Sequence, residues 1–391
     1  MTIVKLECLQ LRSPQVNPAD CDGSADTAVI RITADNGMSG IGETDAPPNV
    51  IAALLQVPST HIWSLSIRDQ LIGRDPLEVE RLWDVLYQGT IYQGRRGAGI
   101  MALGAIDTAL HDLRGKLLGV PAFQLLGGPA RPKVTPYLTL FPSMPQGRSW
   151  EEMKRVCICL MERGMAAGFK AIKMEMLFEH LATDRQLIDF IYECRKIVGE
   201  ERDLMVDVGY RWNNSAPALS VLRSIEAAKL FFVEAPLHTD DVDGLARLAD
   251  ATTTPVAVGE LLQTRHEFRE MMDRGHCDVI QPDIGRVGGL TEALRCARMA
   301  AERGLYCVPH AWKTGLSVAA TRHFAAAVPN CPYTEFTHPD FFPSLLRERL
   351  AAPEPELHDG CWELPQAPGL GIELCEDVIE QCLAEPITVL E

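Results

Sequence analysis

The sequence lacks any apolar stretch of about 18 residues, which is the length that a membrane-spanning helix needs. It also lacks an excess of basic residues, because 37 Lys and Arg stand against 53 Asp and Glu, giving a net charge of −16. Nucleic acids and anionic membranes attract basic surfaces, so neither is expected as a partner. The N-terminus alternates like a strand and lacks the apolar core of a signal peptide. We therefore expect a cytoplasmic protein.

Paired cysteine motifs are also missing. The chain has twelve Cys but no CxxC pair and no zinc-finger spacing, and several Cys, such as Cys157, Cys159 and Cys307, lie in apolar runs. This pattern predicts reduced core thiols rather than a disulfide framework or a zinc site. No GxGxxG follows a predicted strand, which argues against a dinucleotide-binding fold.

What is present predicts two domains and a returning tail. Residues 2–11 and 26–34 alternate like strands and residues 48–118 are helical in pattern, which predicts an α+β capping domain over 1–130. Pro76 is expected to open one of its helices. Residues 355–391 are rich in Pro and Gly, then helical at 376–384, and we expect them to return to the capping domain.

Between these segments the pattern becomes strictly alternating. Helical patterns separate strand-like runs at 134–140, 171–176, 204–209, 231–235, 256–260, 278–282, 306–311 and 332–336. Strands and helices that alternate every 25–30 residues indicate βαβ units and a parallel sheet. Eight such strands over roughly 200 residues predict a (β/α)8 barrel, of the TIM type, over 131–354.

Three of the predicted strands end in an acid. The runs LMVD, FFVE and PVAVGE place Asp207, Glu234 and Glu260 at spacings of 27 and 26 residues. A carboxylate at the end of a buried strand is costly unless it is paired or holds a metal. Three carboxylates without His or Cys suit Mg2+, which prefers oxygen ligands.

Polar residues mark the carboxyl ends of seven predicted strands, where barrel enzymes place their active sites. These residues are Lys173, Asp207, Glu234, Glu260, Asp283, His310 and Glu335. Any one of them alone is equally well explained as a helix cap or a solvated strand end. Seven in register predict a site.

The last three of these residues suggest a division of roles. Asp283 and His310 suit a dyad in which the carboxylate orients the imidazole and raises its basicity, although His310 could also be a hydrogen-bonded core histidine. Glu335 suits an acid, protonated or hydrogen-bonding, aimed at an enolic oxygen. A metal beside a general base is the combination needed to remove a proton next to a carboxylate.

These motifs together resemble the enolase superfamily, in its mandelate racemase subgroup, and most of all its acid-sugar dehydratases. The resemblance runs nearly end to end, through ALGAIDTALHD at 102–112, FKAIK at 169–173, QPD at 281–283, the pair Pro309-His310 and PGLGI at 368–372. It implies Mg2+ as cofactor and abstraction of the proton alpha to a carboxylate. It also implies Lys173, His310, Asp283 and Glu335 as catalytic residues, and a small-molecule sugar acid as substrate in a homo-oligomer, from dimer to octamer.

The sequence departs from the subgroup on the second barrel strand. Racemases and many dehydratases of the subgroup carry Lys-x-Lys there, whereas this chain has Lys173-Met174-Glu175. Period-two alternation keeps Glu175 on the face of Lys173. We expect Glu175 to pair with Lys173 or to contact a substrate hydroxyl rather than to act as a base.

Substrate contacts are predicted at three further positions. Arg211 lies on the face of Asp207 and Gly209, where some relatives have Asn or His at 209, so we expect a roomier site with Arg211 in reach of a distal group. Tyr92 and Arg95 lie in a capping-domain loop next to Arg96, and residues 13–24 match the family's lid. The alternative for each is a solvated surface residue.

The predicted activity is the elimination of water from an aldonate or aldarate, giving a 2-keto-3-deoxy sugar acid. Loss of the second base favours dehydration over the nearest alternative, a racemase or epimerase on the same scaffold. A further alternative is a non-catalytic sugar-acid-binding protein with a degenerate site.

Overall fold

The computed structural model describes residues 1–16, 23–144, 147–178 and 180–391. The strands are β1 (Ile3–Arg12), β2 (Asp26–Ala34), β3 (Ser39–Thr44), β4 (Lys133–Val134), β5 (Pro136–Leu140), β6 (Ala171–Glu175), β7 (Asp203–Asp207), β8 (Phe232–Glu234), β9 (Val256–Val258), β10 (Val279–Ile280), β11 (Tyr306–Cys307), β12 (Thr334–Phe336), β13 (Ala351–Ala352), β14 (Trp362–Glu363), β15 (Glu373–Leu374) and β16 (Thr388–Leu390). The α-helices are α1 (Pro48–Leu55), α2 (Ile67–Leu71), α3 (Val79–Gly89), α4 (Ala98–Leu118), α5 (Ala122–Leu125), α6 (Trp150–Ala166), α7 (Asp184–Val198), α8 (Ser215–Ser224), α9 (Val242–Ala249), α10 (Thr264–Arg274), α11 (Ile284–Val287), α12 (Gly289–Glu302), α13 (Gly315–Ala327), α14 (Leu345–Arg349) and α15 (Glu376–Cys382).

The N-terminal region folds as an antiparallel sheet, of order β16-β1-β2-β3, covered by helices. The strand that ends the chain, β16, pairs with β1, so the C-terminal segment returns to this sheet. The long helix α4 packs closely on β3 because Gly42 has no side chain. A Cβ there would lie 2.1 Å from the carbonyl oxygen of Ala105, so any larger residue would push the helix away from the sheet.

The remaining strands β5 to β12 form one parallel sheet, in the order β11-β10-β9-β8-β7-β6-β5-β12. Its two ends meet where the Glu335 amide donates to the carbonyl of Pro309 at 3.4 Å, which closes a (β/α)8 barrel. The lower interior layer consists of Tyr137, Ala171, Met205, Phe232, Ala257, Val279 and Val308. Side chains alternate along a strand, so residues two positions further on form the next inward layer, at the carboxyl ends where the barrel opens.

All eight predicted barrel strands are present, with two boundary corrections in the chain. The run at 306–311 forms a strand only at Tyr306–Cys307, since Pro309 has no N–H to continue the ladder. Pro76 does not open a helix, because α3 begins at Val79 and Pro76 lies in the turn before it. No helix in the described part of the chain is long and apolar enough to span a membrane.

Buried polar contacts join the capping sheet to the segment that follows His310. The Glu43 carboxylate of β3 accepts from the Thr314 hydroxyl at 2.9 Å and from the Ser317 amide at 2.6 Å. The Lys313 ammonium donates to the carbonyl of Asp26 at 2.7 Å. The cap therefore holds the start of α13 in place, directly beyond the catalytic end of the barrel.

A buried histidine ties three segments of the fold together and makes stability depend on pH. His323 of α13 accepts the Phe123 amide on Nδ1 at 3.0 Å and donates from Nε2 to the carbonyl of Leu370 at 3.1 Å. Burial lowers the pKa of His323 to about 4. The pKa lies below its unfolded value of about 6.5, so stability is lost as the pH falls from about 6.5 towards 4.

We expect the unfolding free energy to fall by about 2 kcal/mol through His323 between pH 7 and pH 5. Urea unfolding of His323→Gln should show a correspondingly smaller drop, since an amide can donate and accept there without titrating. His276→Gln, on the exposed surface, is the matched control, and its unfolding free energy should fall between pH 7 and pH 5 by as much as that of the parent. An unchanged pH dependence in His323→Gln would contradict this assignment.

Candidate active site

The second inward layer of the barrel is centred on a buried lysine. The Lys173 ammonium lies 2.7 Å from Glu234 Oε2, 2.8 Å from Glu335 Oε1 and 3.9 Å from Asp207 Oδ2. Burial by itself disfavours the ammonium, but Glu234 and Glu335 raise the pKa of Lys173 well above its usual value. Lys173 therefore stays charged and is the fixed cation of the site.

The three acids that are predicted to bind a metal lie at or just beyond the carboxyl ends of β7, β8 and β9, which are neighbours in the barrel. Asp207 and Glu234 are register partners on β7 and β8, and Glu260 follows β9 by two residues. Burial raises the pKa of Asp207 well above its usual value, and the neighbouring charge of Glu234 raises it further. Such crowding of negative charge is relieved by a cation.

Within the described residues no three His, Cys, Asp or Glu side chains lie close enough together to hold a metal ion. Glu260 is turned towards other partners: its Oε2 lies 3.1 Å from His310 Nε2, and its Oε1 accepts from the Tyr210 hydroxyl. The donor set is nevertheless all oxygen, and the buried Oε1 of Glu234 has no hydrogen-bond partner in the described chain. The residues thus fit Mg2+ in chemistry, and Glu260 would exchange its present contacts on binding.

His310 and Asp283 form the predicted hydrogen-bonded pair. His310 Nδ1 lies 2.6 Å from Asp283 Oδ2, and Asp283 Oδ1 accepts the Gly285 amide at 2.7 Å, which fixes the carboxylate at the start of α11. Burial alone would lower the pKa of His310, but Glu335 and the hydrogen bond to Asp283 raise it to about 9. The imidazole is therefore oriented through one nitrogen and presents the other, Nε2, towards the carboxylates.

Glu335 is surrounded by donors rather than by acceptors. Thr139 donates to its Oε1 at 2.5 Å and the Ala311 amide donates to its Oε2 at 2.8 Å. Although burial acts to raise the pKa of Glu335, Lys173 and His310 lower it below its usual range. These surroundings favour Glu335 as an ionised hydrogen-bond acceptor. Of the two forms predicted for Glu335, protonated or hydrogen-bonding, they disfavour the protonated one.

Glu175 faces the site without the expected pairing. It is the register partner of Asp207, and it makes no hydrogen bond or ion pair with any residue that the structure describes. Its predicted pairing with Lys173 is therefore not formed, because the Lys173 ammonium is taken by Glu234 and Glu335. Burial raises the pKa of Glu175 well above its usual value, and Asp207 raises it further.

Position 209 is not the open space that the sequence suggested. Gly209 has a φ of +53°, and a Cβ on it would lie 2.0 Å from Leu177 Cδ2. Leu177, two residues beyond Glu175, has filled the space that a side chain at 209 would take. Compared with relatives that have Asn or His at this position, the site is therefore less polar here, but it is not roomier.

The predicted substrate contacts outside the central cluster lie in different environments. Arg211 donates from Nε to Asp184 at 2.9 Å and from Nη2 to the Ala182 carbonyl at 2.6 Å, while its buried Nη1 has no partner in the described chain. Tyr92 is 68% exposed and stacks on Trp63 at 5.9 Å, and Arg95 is also exposed. Their roles in substrate binding stay predictions. Of the lid at 13–24, residues 17–22 lie outside the described residues.

Three residues of the site escaped the sequence interpretation. Tyr210 donates to Glu260, and Thr139 donates to Glu335 from the inward face of β5. Arg286 lies 3.4 Å from Glu260 Oε2, and its guanidinium joins the capping-domain residue Asp45 at 2.6 Å. Arg286 follows Asp283 by three residues on the same helical turn, a spacing that could have pointed to it.

The chain is similar to proteins of known family over nearly its whole length. Residues 2–127 match the mandelate racemase / muconate lactonizing enzyme N-terminal domain, and residues 159–378 match the enolase C-terminal domain-like family. The chain therefore belongs to the mandelate racemase/muconate lactonizing enzyme family of the enolase superfamily.

Individual relatives differ in their named activities. D-galactarolactone cycloisomerase of Agrobacterium fabrum is 32% identical, over 90% of each chain. Arabinonate dehydratase of Saccharolobus solfataricus is 32% identical, over 81% of each chain. A crystal structure described as that of a candidate racemase superimposes with a TM-score of 0.92 and 38% identity, over 97% of each chain.

Proposed function

We propose that this enzyme is a hydro-lyase that dehydrates a sugar acid to a 2-keto-3-deoxy sugar acid. The observation that carries the proposal is a single imidazole base, His310 held by Asp283, beside the buried cluster of Lys173 and carboxylates. The similarity to arabinonate dehydratase supports it. So does the absence of a second lysine from the described part of this inward layer, where Glu175 stands instead.

The proposed roles follow from the position of each group. The Lys173 ammonium binds the substrate carboxylate, and Glu335, ionised between Thr139 and the Ala311 amide, holds that ammonium in place. In its neutral form His310 removes the alpha proton through Nε2, and Asp283 stabilises the imidazolium that results. Held by Asp207, Glu234 and Glu260, Mg2+ would supply electrostatic stabilisation of the negative charge that develops on the substrate carboxylate.

Dehydration needs only this one base. The imidazolium of His310 carries the proton that the departing hydroxyl requires, so elimination in the syn sense can be completed from one face of the substrate. Racemisation requires a proton donor on the opposite face as well. Glu175 is the group with the position for that task, but it is a carboxyl and not the second lysine that racemases of the subgroup carry there.

A second candidate is a reaction that shares the alpha-proton step but not the loss of water. The relatives named as a cycloisomerase and as a candidate racemase favour this alternative, as either ring opening of a lactone or epimerisation. Epimerisation yields no keto acid, and ring opening requires a lactone substrate. A protein that binds sugar acids without turnover is the remaining alternative, and stabilisation by ligand without any product would identify it.

We expect a panel of aldonic and aldaric acids with Mg2+ to yield a 2-keto product from at least one member. Mg2+ alone should raise the thermal midpoint of the parent, and Asp207→Asn should abolish both this shift and turnover because a carboxylate ligand is lost. Asp240→Asn, at an exposed surface carboxylate, is the matched control. A folded, Mg2+-stabilised protein that forms no keto product from the whole panel would refute the proposed function.

A further inference from the structure

A group of apolar side chains lies just beyond the catalytic layer on one side of the barrel mouth. Phe141 directly follows β5, two residues beyond Thr139, and Trp312 lies two residues beyond His310, so both lie just past residues of the catalytic layer. Phe342 closes the group, with its ring 4.5 Å from that of Trp312 and 6.2 Å from that of Phe141. The distal wall, as we name it, comprises Phe141, Leu177, Trp312 and Phe342.

Leu177 extends the distal wall to the side of the site where Asp207 lies. It packs against the aromatic members and covers Gly209, two residues beyond Asp207. A polar side chain at 209 would collide with Leu177, so a hydroxyl of the substrate finds no donor or acceptor side chain at this position. The mouth therefore has one charged face, at Glu260 and Tyr210, and one apolar face.

Four cations that the structure describes in or near the catalytic layer are already engaged. Lys173 is held by two carboxylates, Arg286 by Asp45, and Lys313 by the carbonyl of Asp26. Arg211 is paired with Asp184 and keeps only Nη1 without a partner in the described chain. One N–H group can serve a hydroxyl, but it cannot form the bidentate pair that a second substrate carboxylate would favour.

We propose that the substrate is a monocarboxylic sugar acid whose far end is a methyl group packed on the distal wall. Two residues along a strand rise about 6–7 Å. With C–C bonds of about 1.5 Å, an extended chain anchored at Lys173 brings its last carbons to that height. A terminal hydroxyl would be buried there against apolar groups, and the distal wall itself offers no cation to a terminal carboxylate. This inference rests on the proposed function for its choice of a sugar acid.

Matched triplets of acids test the inference. Each triplet shares the configuration of its inner carbons and ends in a methyl, a hydroxymethyl or a carboxylate group. With Mg2+-loaded enzyme, kcat/KM for the methyl member should exceed that for the hydroxymethyl member by about tenfold or more, and that for the diacid by more. Equal or reversed preference in the triplet that is turned over best would overturn the inference.

A pair of variants assigns the preference to the distal wall. Leu177→Asn places an amide on the wall and should reduce the methyl-to-hydroxymethyl ratio towards one. Leu181→Asn is the matched control, since Leu181 is also partly buried but packs on the main core, and it should leave the ratio unchanged. If Leu177→Asn does not fold, Phe342→Tyr, with Phe341→Tyr as its control, makes the same comparison. An unaltered ratio in the wall variant overturns the assignment.

Failure of the proposed function is separable from failure of this inference. If no acid is turned over, calorimetric binding of the same triplets to the Mg2+-loaded protein decides the matter. Tightest binding of the methyl member would then support the distal wall while the dehydratase proposal falls. Equal binding, tighter binding of the diacid, or no binding by any triplet would overturn the inference.

Discussion

Replacement of His310 by Asn is expected to lower kcat by about three to four orders of magnitude, the contribution of a general acid–base group that acts twice in one turnover. Asn cannot take up the alpha proton or return it to the leaving hydroxyl. The side chain lies within a cage made by Asp283, Glu260 and Glu335, and an amide can still hydrogen-bond there. The fold and the response of the thermal midpoint to Mg2+ should therefore persist.

His276→Asn is the matched control, because His276 is an exposed residue whose imidazole also pairs with a carboxylate, that of Asp250, at 2.9 Å. Its kcat should equal that of the parent. Asp283→Asn should fall between the two, since the imidazole remains but is no longer held by a charged partner. Turnover by a well-folded His310→Asn protein within about tenfold of the parent would refute the dyad assignment.

Replacement of Lys173 by Met is expected to have the largest effect on stability, together with a large loss of activity. The ammonium is the common partner of Glu234, Glu335 and Asp207 in a fully buried site. Removing one member of a buried ion pair leaves charge uncompensated, which costs about 3–5 kcal/mol of unfolding free energy. Loss of the cation that binds the substrate carboxylate should lower kcat/KM by about a hundredfold or more.

Lys170→Met, three residues earlier and exposed, controls for the loss of a lysine in the same strand region. Urea unfolding should show the parent value for Lys170→Met and the large decrease for Lys173→Met. The decrease should shrink at acid pH, because the raised pKa of Asp207 and of Glu234 lets these carboxylates become neutral when the ammonium is missing. A Lys173→Met protein as stable as the parent would show that the carboxylate cluster does not need this cation.

The barrel and its polar strand ends were predictable because both depend on local pattern. Apolar runs of four or five residues that end in a carboxylate identify strand and site together, and β7 ends at Asp207 and β8 at Glu234 as predicted. The dyad was predictable because Asp283 and His310 follow adjacent strands, whose carboxyl ends meet at one edge.

Contacts between distant segments were not predictable in this way. Leu177 fills the space at Gly209 because of the way the loops after β6 and β7 lie against each other. Hydrophobic periodicity carries no information about such loops. The pairing of Arg211 with Asp184 likewise depends on how the start of α7 lies against the segment after β7. The predicted Lys173–Glu175 pair does not form because Lys173 has nearer partners across the barrel. The alternation of side chains along a strand shows only that two residues share a face, and not that they form a pair.

The direct test of one-base dehydration is a single turnover experiment in D2O, analysed by NMR, with the best acid of the panel and Mg2+. We expect a 2-keto-3-deoxy acid that carries one deuterium at its new methylene carbon, and recovered substrate with its original configuration at the alpha carbon. Recovered substrate that is epimerised and deuterated at the alpha carbon, without keto product, would contradict it.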